Sequence, residues 1–168
     1  MIEAALLVVF PCLVAFAGAS DLFTMTIPNR VSLLLVAGFA VLAPAVGLAP
    51  AAVGFHVAAA GIALAVGITF FALGWMGGGD AKMMTAIALW FGLTPALGDF
   101  LLIASVYGAV LTLAVLYFRS IVLLPAFVYR AEWIARLHDG RNGIPYGIAI
   151  AVAALHVYPH SIWFRALL

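Results

Sequence analysis

Long apolar stretches alternate with short polar connections along the whole chain. A membrane-spanning helix needs about 20 mostly apolar residues, with a range of about 17–25. Measured against that length, the sequence predicts about six spans, at residues 4–20, 31–48, 53–73, 81–96, 100–117 and 144–157. The apolar residues 121–128 are too few to cross a bilayer, so they either extend the fifth helix or lie at the membrane interface.

The connections between the spans differ in polarity. Residues 21–30, 74–82 and 119–143 hold most of the polar side chains, whereas the turns near Pro50 and Gly98 are short and nearly uncharged. With six spans, the three polar connections share one side of the membrane. Six of the seven basic residues fall on that side: Arg30, Lys82, Arg119, Arg130, Arg136 and Arg141. Because cytoplasmic loops carry the excess of Lys and Arg, we expect the polar connections to face the cytoplasm.

The composition supports a membrane protein. Hydrophobic residues make up 68% of the chain and charged residues 8%, against about 45–50% and about 25% in soluble domains. A core of this size cannot bury the surplus, so lipid must cover it. We expect an all-α, polytopic membrane protein with a single domain over residues 1–168. Its net charge of +1 without a basic tract predicts no nucleic-acid partner, and its oligomeric state is left open.

Cys12 and the segment Ala15-Phe16-Ala17, both in the first span, bear on metal binding and on signal-peptide cleavage. Cys12 is the only cysteine, which excludes an intramolecular disulfide and a multi-cysteine metal site, and we predict neither a metal nor another cofactor. Ala15-Phe16-Ala17 resembles a signal-peptide cleavage site, but no Lys or Arg precedes the apolar stretch. We therefore expect the first span to be retained as a transmembrane helix.

Two aspartates lie where predicted spans meet the polar side. Asp21 follows the first span and Asp80 precedes the fourth, and an ionisable residue at the membrane boundary is a candidate functional site. Two carboxylates close together cannot both ionise easily, so such a pair shares a proton. The pair then supplies a base to activate water and an acid to protonate a leaving amine. The alternative is structural, since Asp80 could also serve as a helix N-cap.

Glycine and proline motifs accompany both aspartates. Gly77-Gly78-Gly79 directly precedes Asp80, and such a run can take positive φ and let another backbone approach closely. Pro145-Tyr146-Gly147 stands at the polar edge of the sixth span, where it predicts either a broken helix start that lines the same site or a simple helix start. We expect substrate contacts from these two segments.

Two further motifs are expected to support the site. Ile27-Pro28-Asn29 begins the second span, where proline fits a first helical turn. Lys82 either extends its ammonium group to the membrane surface or acts on the charge of Asp80.

These residues together resemble the type IV prepilin peptidases, membrane aspartic proteases of the Gly-x-Gly-Asp type. The likeness rests on Asp21 at the end of the first helix, Ile27-Pro28-Asn29 after it, and Gly77-Gly78-Gly79-Asp80-Ala81-Lys82 at the start of a later helix. Pro145-Tyr146-Gly147 is also similar to that family, so the likeness covers nearly the whole chain.

The resemblance implies a function. In that family the two aspartates are the catalytic pair, a role it implies for Asp21 and Asp80. The implied substrate is a prepilin, cleaved at the cytoplasmic face of a bacterial inner membrane between its basic leader and its hydrophobic helix. Long family members carry an extra N-terminal segment with paired Cys-x-x-Cys motifs that is associated with N-methylation. Because this chain lacks that segment, it resembles the short peptidase-only form of Tad/Flp pilus systems, and we predict no methyltransferase activity.

Three other functions stay open at this point. An archaeal preflagellin peptidase is a close relative of the family. A small proton or ion transporter could use boundary carboxylates, although it predicts carboxylates at mid-membrane depth and inverted repeats, which the sequence lacks. A non-catalytic subunit of a membrane assembly would not depend on the aspartates.

Overall fold

Helices form nearly all of the described chain in the computed structural model. The structure describes residues 2–121 and 131–165 together with Pro125. Within these residues it has no strand, and its α-helices are α1 (Ile2–Thr24), α2 (Asn29–Ala45), α3 (Pro50–Ala72), α4 (Gly78–Phe91), α5 (Pro95–Ser120), α6 (Glu132–His138), α7 (Tyr146–Val157) and α8 (Ile162–Arg165). A 3-10 turn, Tyr158–His160, joins α7 to the short α8.

Four stretches of the described chain are long and apolar enough to cross a membrane. They are α1, α3, α5 and the run Tyr146–Arg165. The apolar helix α2 has 17 residues and α4 has 14. At about 1.5 Å per residue, α4 is about 21 Å long, whereas the hydrocarbon core of a bilayer is about 30 Å thick. The predicted class, an all-α polytopic membrane protein, is confirmed, while two of the six predicted spans correspond to shorter helices.

The short helix α4 is enclosed by its neighbours. It contacts α2, α3, α5 and α7, and every side chain of Ala86–Phe91 is buried. The Trp90 ring, fully buried, donates its Nε1–H to the Leu35 carbonyl at 2.9 Å and lies 5.0 Å from the Phe10 ring centroid. A helix that other helices cover does not need to match the bilayer thickness, which accounts for the length of α4.

The ends of α1 and α4 differ from their predicted positions. α1 continues to Thr24, so Asp21 lies within its last turn. α4 ends at Phe91 because Gly92 adopts a φ of 65°, so the predicted span 81–96 is wrong beyond Phe91 and α5 begins at Pro95. α5 itself ends at Ser120, and most of the predicted extension at 121–128 lies outside the described residues.

Two glycines bring helices into close contact next to the aspartates. A Cβ on Gly18, one turn before Asp21, would lie 2.6 Å from the Cβ of Ala151 in α7. A Cβ on Gly67 in α3 would lie 3.0 Å from the Cβ of Ala81, the residue after Asp80. Small residues at helix contacts let backbones approach closely in membranes. Each aspartate therefore lies next to a close helix contact, α1–α7 for Asp21 and α3–α4 for Asp80.

We predict that Gly18→Ala destabilises the protein and that Ala151→Gly restores it. Overpacking of this kind costs about 1–3 kcal/mol, and removing the Ala151 methyl group eliminates the closest contact. Thermal unfolding in detergent micelles measures both effects, with Gly61→Ala as the control because a Cβ there meets nothing within 4 Å. A Gly18→Ala protein as stable as the Gly61→Ala control would contradict the observed α1–α7 packing.

Candidate active site

Asp21 is a buried carboxylate whose hydrogen-bond donor comes from another helix. Its side chain is only 7% exposed, and its Oδ2 accepts the backbone N–H of Gly147 at 2.7 Å. Gly147 lies in the first turn of α7, where backbone N–H groups have no partner within the helix. The positive end of a helix dipole also favours a negative charge. The start of α7 therefore stabilises a carboxylate that the C-terminal end of its own helix, α1, disfavours.

Gly147 must be glycine for this contact. A Cβ at that position would lie 2.8 Å from Asp21 Oδ2 and 2.9 Å from Ile27 Cδ1. The Pro145-Tyr146-Gly147 segment is a simple helix start, since Pro145 is the N-cap residue and α7 begins at Tyr146. Of the two alternatives that the sequence left open, the structure has the simple helix start, and this segment does line the site. Its contact with Asp21 was not predicted from the sequence.

Asp80 lies in the first turn of α4, after the N-cap residue Gly77. The N-cap role considered for Asp80 is therefore wrong. Its Oδ2 faces Gly77, where a Cβ would lie 3.0 Å from that oxygen. Its Oδ1 is buried and has no hydrogen-bond partner among the described residues. Since buried polar atoms are nearly always paired, this oxygen is available for a water molecule or a substrate.

The three glycines before Asp80 leave space for close neighbours because they have no side chain. None of them adopts a positive φ, which occurs instead at Gly74, at 72°. The expected positive φ in this run is therefore wrong, and Gly78 and Gly79 belong to the first turn of α4. The close neighbour of this run is Ile27, since a Cβ on Gly79 would lie 3.3 Å from the Cβ of Ile27. A role in substrate binding stays a prediction.

The segment Ile27-Pro28-Asn29 connects the two aspartates. The Ile27 side chain faces both Gly79, next to Asp80, and Gly147, the partner of Asp21. Pro28 is the N-cap residue of α2, one position before the predicted first turn. The Asn29 amide oxygen accepts a hydrogen bond from Lys82 Nζ at 2.9 Å. Lys82 is exposed, in agreement with one of the two alternatives from the sequence, and its contact with Asn29 was not predicted.

The carboxylates of Asp21 and Asp80 thus belong to one site and interact electrostatically. Helix ends from α1, α2, α4 and α7 meet there, as expected for polar connections on one side of the membrane. We call this the polar end of the bundle.

A loop at the polar end holds the start of α7. Arg119 at the end of α5 donates hydrogen bonds to the carbonyls of Leu137, Asn142 and Gly143, at 2.8, 3.0 and 2.9 Å. In the same loop, hydrogen bonds from Arg141 lower the pKa of Asp139 to about 2. Because Gly143 precedes Pro145 by two residues, these hydrogen bonds connect the end of α5 to the chain just before the helix start that binds Asp21.

A cavity of about 610 Å³ opens beside Asp80. Its walls come from α3, α4, α5 and α7, and its lining includes Asp80 and Tyr146 but none of Gly77, Gly78 and Gly79. The other lining side chains are almost all apolar. The cavity could not be predicted from the sequence, because residues facing it and residues facing lipid are both apolar.

Fold and site together define a polytopic helical membrane protein with paired carboxylates at one end of its bundle. A family model described as the type IV leader peptidase family matches residues 8–113, more than half of the chain and a range that includes both aspartates. The chain therefore belongs to the type IV leader peptidase family. Membership implies leader peptidase activity on a prepilin. No curated protein and no solved structure matches the chain significantly.

We predict that Gly147→Ala lowers the rate of leader cleavage by about 100-fold, the loss that a displacement of about 1 Å can cause. The added methyl group displaces the Asp21 carboxylate from the start of α7. Cleavage of a precursor by purified protein in detergent measures the effect. Gly143→Ala is the control, since a Cβ there meets nothing within 4 Å. Equal rates for the two variants would mean that the contact between Asp21 and Gly147 does not matter for activity.

Proposed function

We propose that the protein is an aspartic endopeptidase in which Asp21 and Asp80 are the catalytic pair. The observation that carries this proposal is the convergence of two carboxylates with different surroundings. Asp21 is held by the Gly147 amide, while Asp80 keeps one buried oxygen without a partner in the described chain. Peptide hydrolysis needs a base and an acid side by side, and a pair of carboxylates that shares a proton supplies both.

The reaction follows from that arrangement. The ionised carboxylate takes a proton from a water molecule between the two side chains, and the resulting hydroxide attacks the scissile carbonyl carbon. The protonated carboxyl group donates its proton to the carbonyl oxygen as the C–N bond weakens. The proton taken from water then passes to the leaving amine. As the C–N bond breaks, one hydroxyl of the tetrahedral intermediate returns its proton to the pair, which again holds one shared proton.

The proposed substrate is a prepilin, cleaved at the cytoplasmic face. Arg30, Lys82, Arg119, Arg136 and Arg141 belong to the polar end of the bundle, and Arg165 belongs to α8 after the opposite end of α7. This distribution favours a cytoplasmic polar end. The alternative function is ion transport, which would need carboxylates at mid-membrane depth. Asp21 and Asp80 instead lie in terminal helical turns.

The sequence makes two narrower predictions that extend this proposal. One is that the substrate is a Tad/Flp-type prepilin, and the other is that the mature product is not N-methylated. Mass spectrometry of the cleaved product tests methylation, and comparison of prepilin and preflagellin precursors tests the choice of substrate.

We predict that Asp21→Asn and Asp80→Asn each leave the protein folded and inserted but reduce precursor cleavage by at least about 10²–10⁴-fold, the usual contribution of acid–base catalysis. Co-expression with a candidate prepilin, followed by N-terminal sequencing of the product, measures cleavage. Asp99→Asn is the control, because Asp99 is exposed and lies in α5 near its start, at the opposite end of the bundle. Normal processing by either of the first two variants would refute its catalytic role.

We predict that the polar end is shielded from the outside of the cell. In a Cys12→Ser background, Gly140→Cys and Gly98→Cys introduce single thiols at exposed positions at opposite ends of the bundle, where a Cβ meets nothing within 4 Å. A membrane-impermeant maleimide added to spheroplasts should label only the thiol at position 98, and the thiol at position 140 should react after lysis. The reverse pattern would place the site on the outer face.

A further inference from the structure

The cavity beside Asp80 is a groove between two membrane-spanning helices. α3 packs on α4, and α5 packs on α7. Residues from α3 and α5 line its two sides, and residues from α4 and α7 complete it. We call this the α3–α5 groove. On α3 its lining extends from Ala59 to Phe70, about 17 Å at 1.5 Å per residue, or roughly three helical turns.

The edges of the groove are accessible from the lipid side. Ile62 and Val66 on α3 are 56% and 47% exposed, and Leu101 on α5 is 44% exposed, and all three line the groove. An occupant that enters from lipid must be apolar and must satisfy its own backbone hydrogen bonds. Among peptide segments, an α-helix meets both conditions.

Small residues on both sides give such a helix room. Ala59, Ala63 and Gly67 follow one another at intervals of four on α3, so they share one helix face. Ala104 and Gly108 have the same spacing on α5. Faces of small residues allow close helix packing in membranes. Here they line a cavity, while Gly67 also packs on Ala81 of α4.

Most polar atoms of the groove lie where its walls reach the site, whereas the Ser105 hydroxyl, midway along α5, donates to the Leu101 carbonyl. Asp80 lines it and carries the buried oxygen without a partner in the described residues. Tyr146 lines it too, with its hydroxyl 3.0 Å from Thr112 Oγ1. A helix in the groove would therefore have its polar-end terminus beside Asp80. A peptide bond just before the first turn of that helix would lie at the carboxylate.

We propose that the α3–α5 groove binds the apolar transmembrane helix of the prepilin substrate and sets which peptide bond reaches Asp80. This inference rests on the proposed function in one respect, because Asp80 marks the catalytic end of the groove. A lipid acyl chain or a second copy of the protein could fill an apolar groove, but neither presents a cleavable bond to Asp80. The groove's continuity with the carboxylate is what favours the substrate helix.

Photo-crosslinking in an inactive protein tests occupancy without relying on catalysis. In the Asp21→Asn background, benzoylphenylalanine replaces Ile62 or Leu101, which line the groove, and Leu64 or Leu102, which are exposed on the same helices outside it. With co-expressed prepilin, the two groove positions should crosslink to the prepilin helix, and the two control positions should not. Crosslinks only to lipid or to a second copy, or equal crosslinking at all four positions, would overturn the proposal.

A steric test measures the same binding through activity. Ala63→Trp fills the groove, and Ala65→Trp adds the same side chain to an exposed position of α3 outside it. We expect Ala63→Trp to raise KM for the membrane-inserted precursor at least about tenfold, equivalent to about 1.4 kcal/mol of binding, and Ala65→Trp to leave KM unchanged. An unchanged KM in a folded Ala63→Trp protein would contradict the proposal.

Measuring both cleavage and crosslinking in the Asp21→Asn protein separates the groove proposal from the catalytic assignment. If Asp21→Asn still cleaves the precursor while crosslinks form at positions 62 and 101, the catalytic pair is wrong and the groove stands. If Asp21→Asn is inactive and those crosslinks are absent, the catalytic assignment stands and the groove proposal fails.

Discussion

The site depends on one hydrogen bond between helices that are distant in sequence. Asp21 is a buried acid at the C-terminal end of α1, where the helix dipole opposes a negative charge. Burial of a carboxylate is unfavourable unless it is hydrogen-bonded. The first-turn amide of Gly147 in α7 provides that bond, and its glycine provides the space. The position of Asp21 is thus determined by how α7 begins and how closely α1 packs against it.

The same logic extends to Asp80 and links both acids. Gly67 brings α3 against Ala81, and Ile27 lies against both Gly79 and Gly147. A single apolar side chain therefore touches the backbone beside one acid and the backbone partner of the other. In a bilayer the hydrophobic effect does not hold helices together, so close packing and hydrogen bonds between helices must do so. The aspartates lie where both kinds of contact are concentrated.

The sequence predicts the class because it depends on local signals, and the same signals single out the two acids as candidates. Apolar runs of membrane length and isolated charges at their ends are visible residue by residue, and Asp21 and Asp80 are prominent among few charges. What it could not predict depends on which helices are neighbours. The bond from Gly147 to Asp21, the double contact of Ile27 and the groove along α3 and α5 all require the packing of the bundle. The length of α4 could not be predicted for the same reason, since contact with four neighbouring helices removes the need to match the bilayer.

The proposed reaction requires the two carboxylates to lie within reach of one water molecule. A double variant, Asp21→Cys and Asp80→Cys in the Cys12→Ser background, tests it directly. A short bifunctional thiol reagent, added to the protein in membranes, should join the two thiols within one chain, and peptide mapping should find the first-helix and fourth-helix fragments linked. Independent alkylation of both thiols without a link between the fragments would contradict the account.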